Sequence, residues 1–262
     1  MKPVLIVIMI LASNAMRTQA QQISLKNLKF YEHQLDDVME IIDTITLVDK
    51  LKEVEQNYKQ DATEINKVRL SIIYHETALN LTFLAKSTYK GYAQRSFDLL
   101  TQLETNTSTT SSLLPFVASY RASALALVGG ETKKLNLVGQ SFKLFEEAIE
   151  KYAEISYIPE FLRGSVAENL PWFFFSKRKF AKQDMQAIIN KQDINSEYAT
   201  DKIMSFTYWA WANQHQQKKY RVKALAYLDK AIVLDPSYRA GRKRAEELKR
   251  LMYISFKPLF KT

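Results

Sequence analysis

The chain contains no cysteine, and its 262 residues include only six glycines and six prolines. Without thiols there is neither a disulfide framework nor a thiolate metal site, so packed apolar surface has to hold the fold. So few chain breakers leave long stretches open to helix formation. The scarce glycines also exclude a phosphate-binding loop, because no spaced glycine cluster is followed by Lys-Ser or Lys-Thr. Three histidines, His33, His75 and His215, do not furnish a closed metal centre, and neither a metal nor a cofactor is expected. Long hydrophobic runs are absent too. The one apolar run, Val4 to Leu11, is about half of the ~20 residues that a spanning helix needs. With Lys2 ahead of it and small residues behind it, 1–20 reads as a cleavable secretory signal, cut after Ala15 or after Ala20. The mature chain is therefore expected to be secreted or periplasmic, with no transmembrane span.

What is present is a globular composition, 47% hydrophobic and 25% charged, whose apolar positions recur at helical spacing. The expected class is all-α. Net charge is +9, and it is placed unevenly: from Lys218 onward there are 13 Lys and Arg against 4 Asp and Glu, so the rest of the chain sums to zero. An exported chain rarely meets nucleic acid, so the basic end points to a solvated face or to an anionic envelope component.

The clearest pattern runs from Tyr208 to Pro236. Tyr208, Ala212 and His215 form a large-small-large seam on one expected helix. Ala224, Leu228 and Ala231 answer it on the next, and Asp235-Pro236 closes the unit. This resembles a tetratricopeptide repeat, whose unit is about 34 residues of helix-turn-helix. The resemblance implies an α-solenoid of antiparallel helix pairs that binds a protein or peptide in a groove and has no catalytic activity of its own. A weaker half-repeat lies at Ser141, Phe145 and Ala148. Phe161-Leu162-Arg163-Gly164 followed by Asn169-Leu170-Pro171-Trp172-Phe173-Phe174 is similar to a segment of bacterial secreted proteins without an assigned activity, and that likeness also implies helical repeats.

Three divisions follow: a signal at 1–20, an N-terminal helical segment at 21–60 with a break near Thr44, and a repeat domain at 61–262 that ends in a capping helix from Ser237. Within the repeat domain, Asp61 and Glu64 are spaced for a capping box. The first unit is expected to run helically to about Lys86. The polar stretch Thr105 to Ser112 reads as a linker, and Gly129-Gly130 as the stop of the helix before it. Pro171 is expected to end or kink the helix opened by Pro159.

Candidate sites follow from these placements. Phe206, Trp209, Asn213 and Gln216 form a stripe beside the Tyr208 seam, where the resemblance puts the ligand groove. Trp172, Phe173 and Phe174, with Phe175, form an aromatic block that no single helical stripe buries; core packing at the Pro171 break is its expected use, and an apolar pocket or a dimer patch its functional alternative. Arg239, Arg242, Lys243, Arg244, Lys249 and Arg250 form the patch for an anionic partner. The sequence excludes more than it offers for catalysis. His75-Glu76 opens like a zinc-protease helix but meets Leu79 where the second histidine belongs, and Ser71 one turn from His75 has no third group to orient the imidazole. His33 with Asp36 and Asp37 shares a face that suits at most a weak cation site. The functional expectation is a binding or scaffold module; a small-molecule carrier with an apolar pocket between helices is the alternative.

Overall fold

In a computed structural model of the chain, the described residues are 23–81, 88–234, 236 and 239–255. The expected signal, the helical extension through Lys86, Asp235 and a Ser237 cap lie outside them. Eleven α-helices and no strand occur among the described residues: α1 (Leu25–Leu35), α2 (Thr44–Gln60), α3 (Glu64–Leu81), α4 (Tyr92–Thr105), α5 (Leu114–Thr132), α6 (Leu135–Tyr152), α7 (Ile158–Asn169), α8 (Phe175–Ile194), α9 (Asp201–Gln214), α10 (Arg221–Leu234) and α11 (Arg239–Ser255).

Each helix from α2 to α11 packs on its sequence neighbour, which makes α3/α4, α5/α6, α7/α8 and α9/α10 four successive pairs with α11 behind the last. The first helices of the pairs also touch one another: α3 meets α5, α5 meets α7, and α9 meets the closing helix α11. The α9/α10 seam forms from residues that complement one another in size. Ala224, Leu228 and Ala231 are each 0% exposed, and Tyr208 and Ala212 are buried opposite. His215 departs from the expected seam. It lies just past the last turn of α9, stacked on Trp211 at 4.0 Å, with Nδ1 2.7 Å from the Trp211 carbonyl.

α5 is the central helix, buried on nearly every side and built from Ala, Ser, Val and Leu that permit close approach. Among the described residues it belongs to the one stretch long and apolar enough to cross a membrane, Ser111–Thr132, and 78% of that stretch's most apolar 18-residue window is buried within this fold. Gly129-Gly130 does not stop it. The helix continues to Thr132 and ends on Lys133 at φ 59°. Gly129 instead allows α6 to approach, since a Cβ there would sit 3.1 Å from Val138 Cγ2 and 3.2 Å from the Lys134 carbonyl oxygen. Pro171 does end α7, at Asn169, and α8 begins at Phe175.

Two further expectations are corrected together. Thr105 to Ser112 is a folded turn, in which Thr109 and Ser112 are buried and Thr109 Oγ1 donates to the Leu103 carbonyl at 2.6 Å. The Glu64 carboxylate accepts from Thr110 N–H at 3.0 Å and from Thr110 Oγ1 at 2.6 Å, so it is not free to close a capping box with Asp61. Asp61 accepts from Thr63 Oγ1 and from the Asn66 amide.

The N-terminal segment shares the core with the pairs. Leu28, Leu35, Val38, Met39, Leu47, Leu51 and Val54 lie in one continuous apolar cluster with residues of α3 to α11. Asp43 caps α2 by accepting from Thr46 N–H at 2.8 Å, which places the break just ahead of Thr44.

Candidate functional site

Cations from the first and last pairs clamp the N-terminal segment, which lies across the N-terminal ends of the four first helices. Arg69 of α3 donates to the Gln34 carbonyl and makes a two-point contact with Asp37 at 2.6 and 2.7 Å. Lys202 of α9 donates to the carbonyls of Asp36 and Met39 at 2.6 and 3.0 Å, and its ammonium lies 3.1 Å from Asp36 Oδ1. Between these anchors α1 meets the turn at Ser111–Leu113, and Glu32 meets Tyr157 just ahead of α7. The chain thus covers part of its own first-helix face.

Two open clefts flank this clamp. One, of about 390 Å³, is lined by Lys29, Glu32, His33 and Asp36 on one side and by Glu197 and Ala199 to Lys202 on the other; the second, of about 580 Å³, lies between His33, Gln34, Asp36 and Asp37 and the α3 residues Ile65, Asn66 and Arg69. Asp36 and Asp37 are held by Lys202, Arg69 and Lys50, so the charge of both is already balanced. Burial alone would raise the Asp37 carboxyl, but Arg69 and Lys50 together hold it below its usual value. Glu32, 4% exposed, is pushed up by burial against the opposing pull of Lys29.

The α9 stripe is split by its neighbours. Phe206 is buried edge-on against Phe161 of α7, with ring centroids 5.2 Å apart. Trp209 is half-buried, edge-on to Phe206 at 5.3 Å, and carries the Arg244 guanidinium of α11 over its ring at 5.2 Å. The Asn213 amide donates to Glu168 Oε1 at 2.9 Å, and Gln216, exposed beyond the helix end, donates to the Asn213 carbonyl at 2.9 Å. Burial pushes the Glu168 carboxyl above its ordinary value, while the amides of Asn213 and Gln214 and the cations Arg244 and Arg178 pull it down. Trp209 and Gln216 therefore present surface in the gap between α7, α9 and α11. Phe206 and Asn213 support them from behind.

The aromatic block does not pack into the core. Trp172 is 79% exposed, Phe175 77% and Phe173 47%; only Phe174 turns inward, against the small cluster of Val138, Phe142, Ala167, Leu170 and Ala181. The basic end is partly neutralised by local partners. Arg242 pairs with Glu246 at 2.8 Å, Arg250 with Glu247 at 2.7 Å, and Lys249 with Asp229 of α10. Arg244 lies on Trp209, Lys243 is exposed, and Arg239 opens α11. Exposed pairs of this kind are screened by solvent and hold little, so they leave the patch available without stiffening it.

Spacing along the sequence missed one constellation. His75 Nε2 lies 2.7 Å from Ser123 Oγ of α5 and Nδ1 lies 3.2 Å from Glu76 Oε1, an arrangement of serine, imidazole and carboxylate. Ser71, the serine that spacing suggests, donates to the Lys67 carbonyl instead. Ser123, His75 and Glu76 are 3%, 1% and 1% exposed, and Tyr120 closes over the imidazole edge-on at 5.0 Å. At that burial the three side chains satisfy one another's hydrogen-bonding groups within the core. Only the fold reveals it, because Ser123 is 48 residues from His75. His215 is no stronger as a base: burial lowers its pKa, and Lys182, Lys223 and Lys219 lower it further.

Fold and surface together define an all-α protein of serially packed helix pairs closed by a terminal helix. The chain matches no family model, no curated protein and no solved structure.

Proposed function

We propose that the chain is an exported, non-catalytic binding or scaffold module of the tetratricopeptide-like kind. Its partner is a peptide segment of another protein, held on the first-helix surface between α7, α9 and α11. The observation that carries this reading is the half-exposed Trp209 ring, which Arg244 covers and Gln216 and the Asn213–Glu168 pair flank. An aromatic plane with amides and charges of both signs around it suits a peptide, offering apolar area and groups that orient a backbone. Export rests on the expected signal at 1–20, and the repeat class on the Tyr208–Pro236 pattern.

The test is a random peptide library panned against the full chain, with the Trp209→Ala, Gln216→Ala double variant as competitor. Gln216 is exposed and Trp209 half-buried, and circular dichroism of the variant checks that helicity is kept. Peptides that favour the parent by about tenfold or more are expected, the loss that follows removal of an aromatic anchor. Peptides that bind parent and variant equally would place the surface elsewhere.

A further inference from the structure

We propose that the turn joining α7 to α8 is a docking surface for an anionic lipid bilayer, with Trp172, Phe173 and Phe175 entering the interface and Lys179 and Lys182 facing the headgroups. The proposal is independent of the peptide surface at Trp209.

The turn is built to hold aromatics outward. Pro171 cannot continue α7, the residues Trp172–Phe174 make one tight turn, and Arg178 donates to the Leu170 carbonyl at 2.9 Å, fastening the start of α8 back on the turn. Phe174 packs inward, and Phe173 lies against it with ring centroids 4.9 Å apart. Trp172 stands edge-on to Phe173 at 6.0 Å. Trp172 and Phe173 are thus backed by Phe174 while Trp172 is 79% and Phe175 77% exposed to solvent. A soluble surface seldom leaves so much contiguous aromatic area uncovered without an occupant.

Charge identifies the occupant. Between Pro171 and Lys182 there are four cations, Lys177, Arg178, Lys179 and Lys182, and no carboxylate. Phe175, Lys179 and Lys182 fall at i, i+4 and i+7, one exposed stripe of α8 with the ring at its tip and ammonium groups behind it. Neither Lys179 nor Lys182 has a carboxylate partner among the described residues, whereas Lys177 lies 3.6 Å from Glu146. Trp and Phe placed ahead of lysines that reach back toward water form the pattern of an interfacial anchor, and anionic headgroups supply the countercharge. A second copy is disfavoured as occupant, because a two-fold contact through this patch sets one lysine stripe against the other.

The experiment is flotation of the full chain with vesicles of phosphatidylglycerol in phosphatidylcholine and with vesicles of phosphatidylcholine alone. Co-flotation with the anionic vesicles, weakened by added salt, is expected. The variant Trp172→Ser, Phe173→Ser, Phe175→Ser is expected to lose at least about tenfold in partitioning, and Lys179→Glu, Lys182→Glu severalfold. Both variants change exposed side chains, and an unchanged thermal midpoint shows that the fold survives. A parent chain that stays with the unbound fraction, or a serine variant that floats as well as the parent, overturns the proposal. So does a parent dimer that the serine variant dissolves while neither chain floats, which makes the patch an interface between copies.

Discussion

The α9/α10 seam and the α3/α5 seam are both sealed from water, yet they are closed by different means. Between α9 and α10 the buried fit is one of size, with alanines and Leu228 opposite Tyr208 and Ala212, and Ser205 Oγ donates across it to the Ala231 carbonyl at 2.6 Å. Between α3 and α5 the buried surface carries His75, Glu76, Thr77, Ser119 and Ser123, and each is hydrogen-bonded to a neighbour or to its own helix. A size-matched seam fails when volume changes. A polar seam fails when one partner is removed, because the group left behind is desolvated without compensation.

The largest effect is therefore expected from His75→Leu, which strands the Glu76 carboxylate and Ser123 hydroxyl at under 4% exposure. About 3 kcal/mol of destabilisation in urea unfolding is expected. Ser123→Ala should cost about 1–2 kcal/mol, and the double variant less than the two together, since removing both partners leaves fewer groups unpaired. Strict additivity would mean that the 2.7 Å contact contributes nothing, and the contrast between the seams would disappear.

The apolar seam is probed by Ala231→Leu, which adds volume where the side chain is 0% exposed. Overpacking of this kind costs about 1–3 kcal/mol. Val233→Leu on the outer face of α10, at a residue 75% exposed, should stay within about 0.5 kcal/mol. Equal midpoints for the two variants would show that α10 can shift to absorb the extra carbons and that size does not set this seam.

The same contrast explains what was legible in the sequence. The α9/α10 pair is visible because size alternation is written locally, and Ala224, Leu228 and Ala231 occur at the spacing that buries them. The helical class was legible from periodicity and from the near absence of breakers. The clamp on the N-terminal segment was not, because nothing local sets Arg69 and Lys202 apart from other cations until the fold brings Asp37, Asp36 and the carbonyls of Gln34, Asp36 and Met39 to them. His75 pointed to Ser71 by local spacing, while its actual partner comes from another helix. Gly129 and Thr109 misled in the opposite direction: turn-forming residues were taken up by close packing and by a buried hydrogen bond. Of the stripe at Phe206, Trp209, Asn213 and Gln216, the spacing gave the shared face, but not which members the neighbouring helices would cover.

The smallest expected effect is a slope rather than an offset, and it tests the support beneath Trp209. Burial raises the Glu168 carboxyl above the 4.5 of an ordinary glutamate, and the surrounding amides and cations oppose this only in part. A carboxyl whose pKa is higher folded than unfolded binds its proton more tightly in the native state. Its contribution to stability is complete below the unfolded pKa and is lost as pH rises through the folded one. Glu168→Gln keeps an acceptor for the Asn213 amide and removes the titration. The variant's thermal midpoint should therefore gain on the parent's as pH rises from about 4.5 to 7. Glu32, Glu160 and Asp184, also raised by burial, titrate alike in both proteins and cancel from the difference. A difference that is flat with pH would show that the Asn213 and Gln214 amides with Arg244 and Arg178 balance burial at this carboxyl, and one that shrinks as pH rises would show that they outweigh it. The Trp209 surface would then rest on an ion pair, and salt would loosen it.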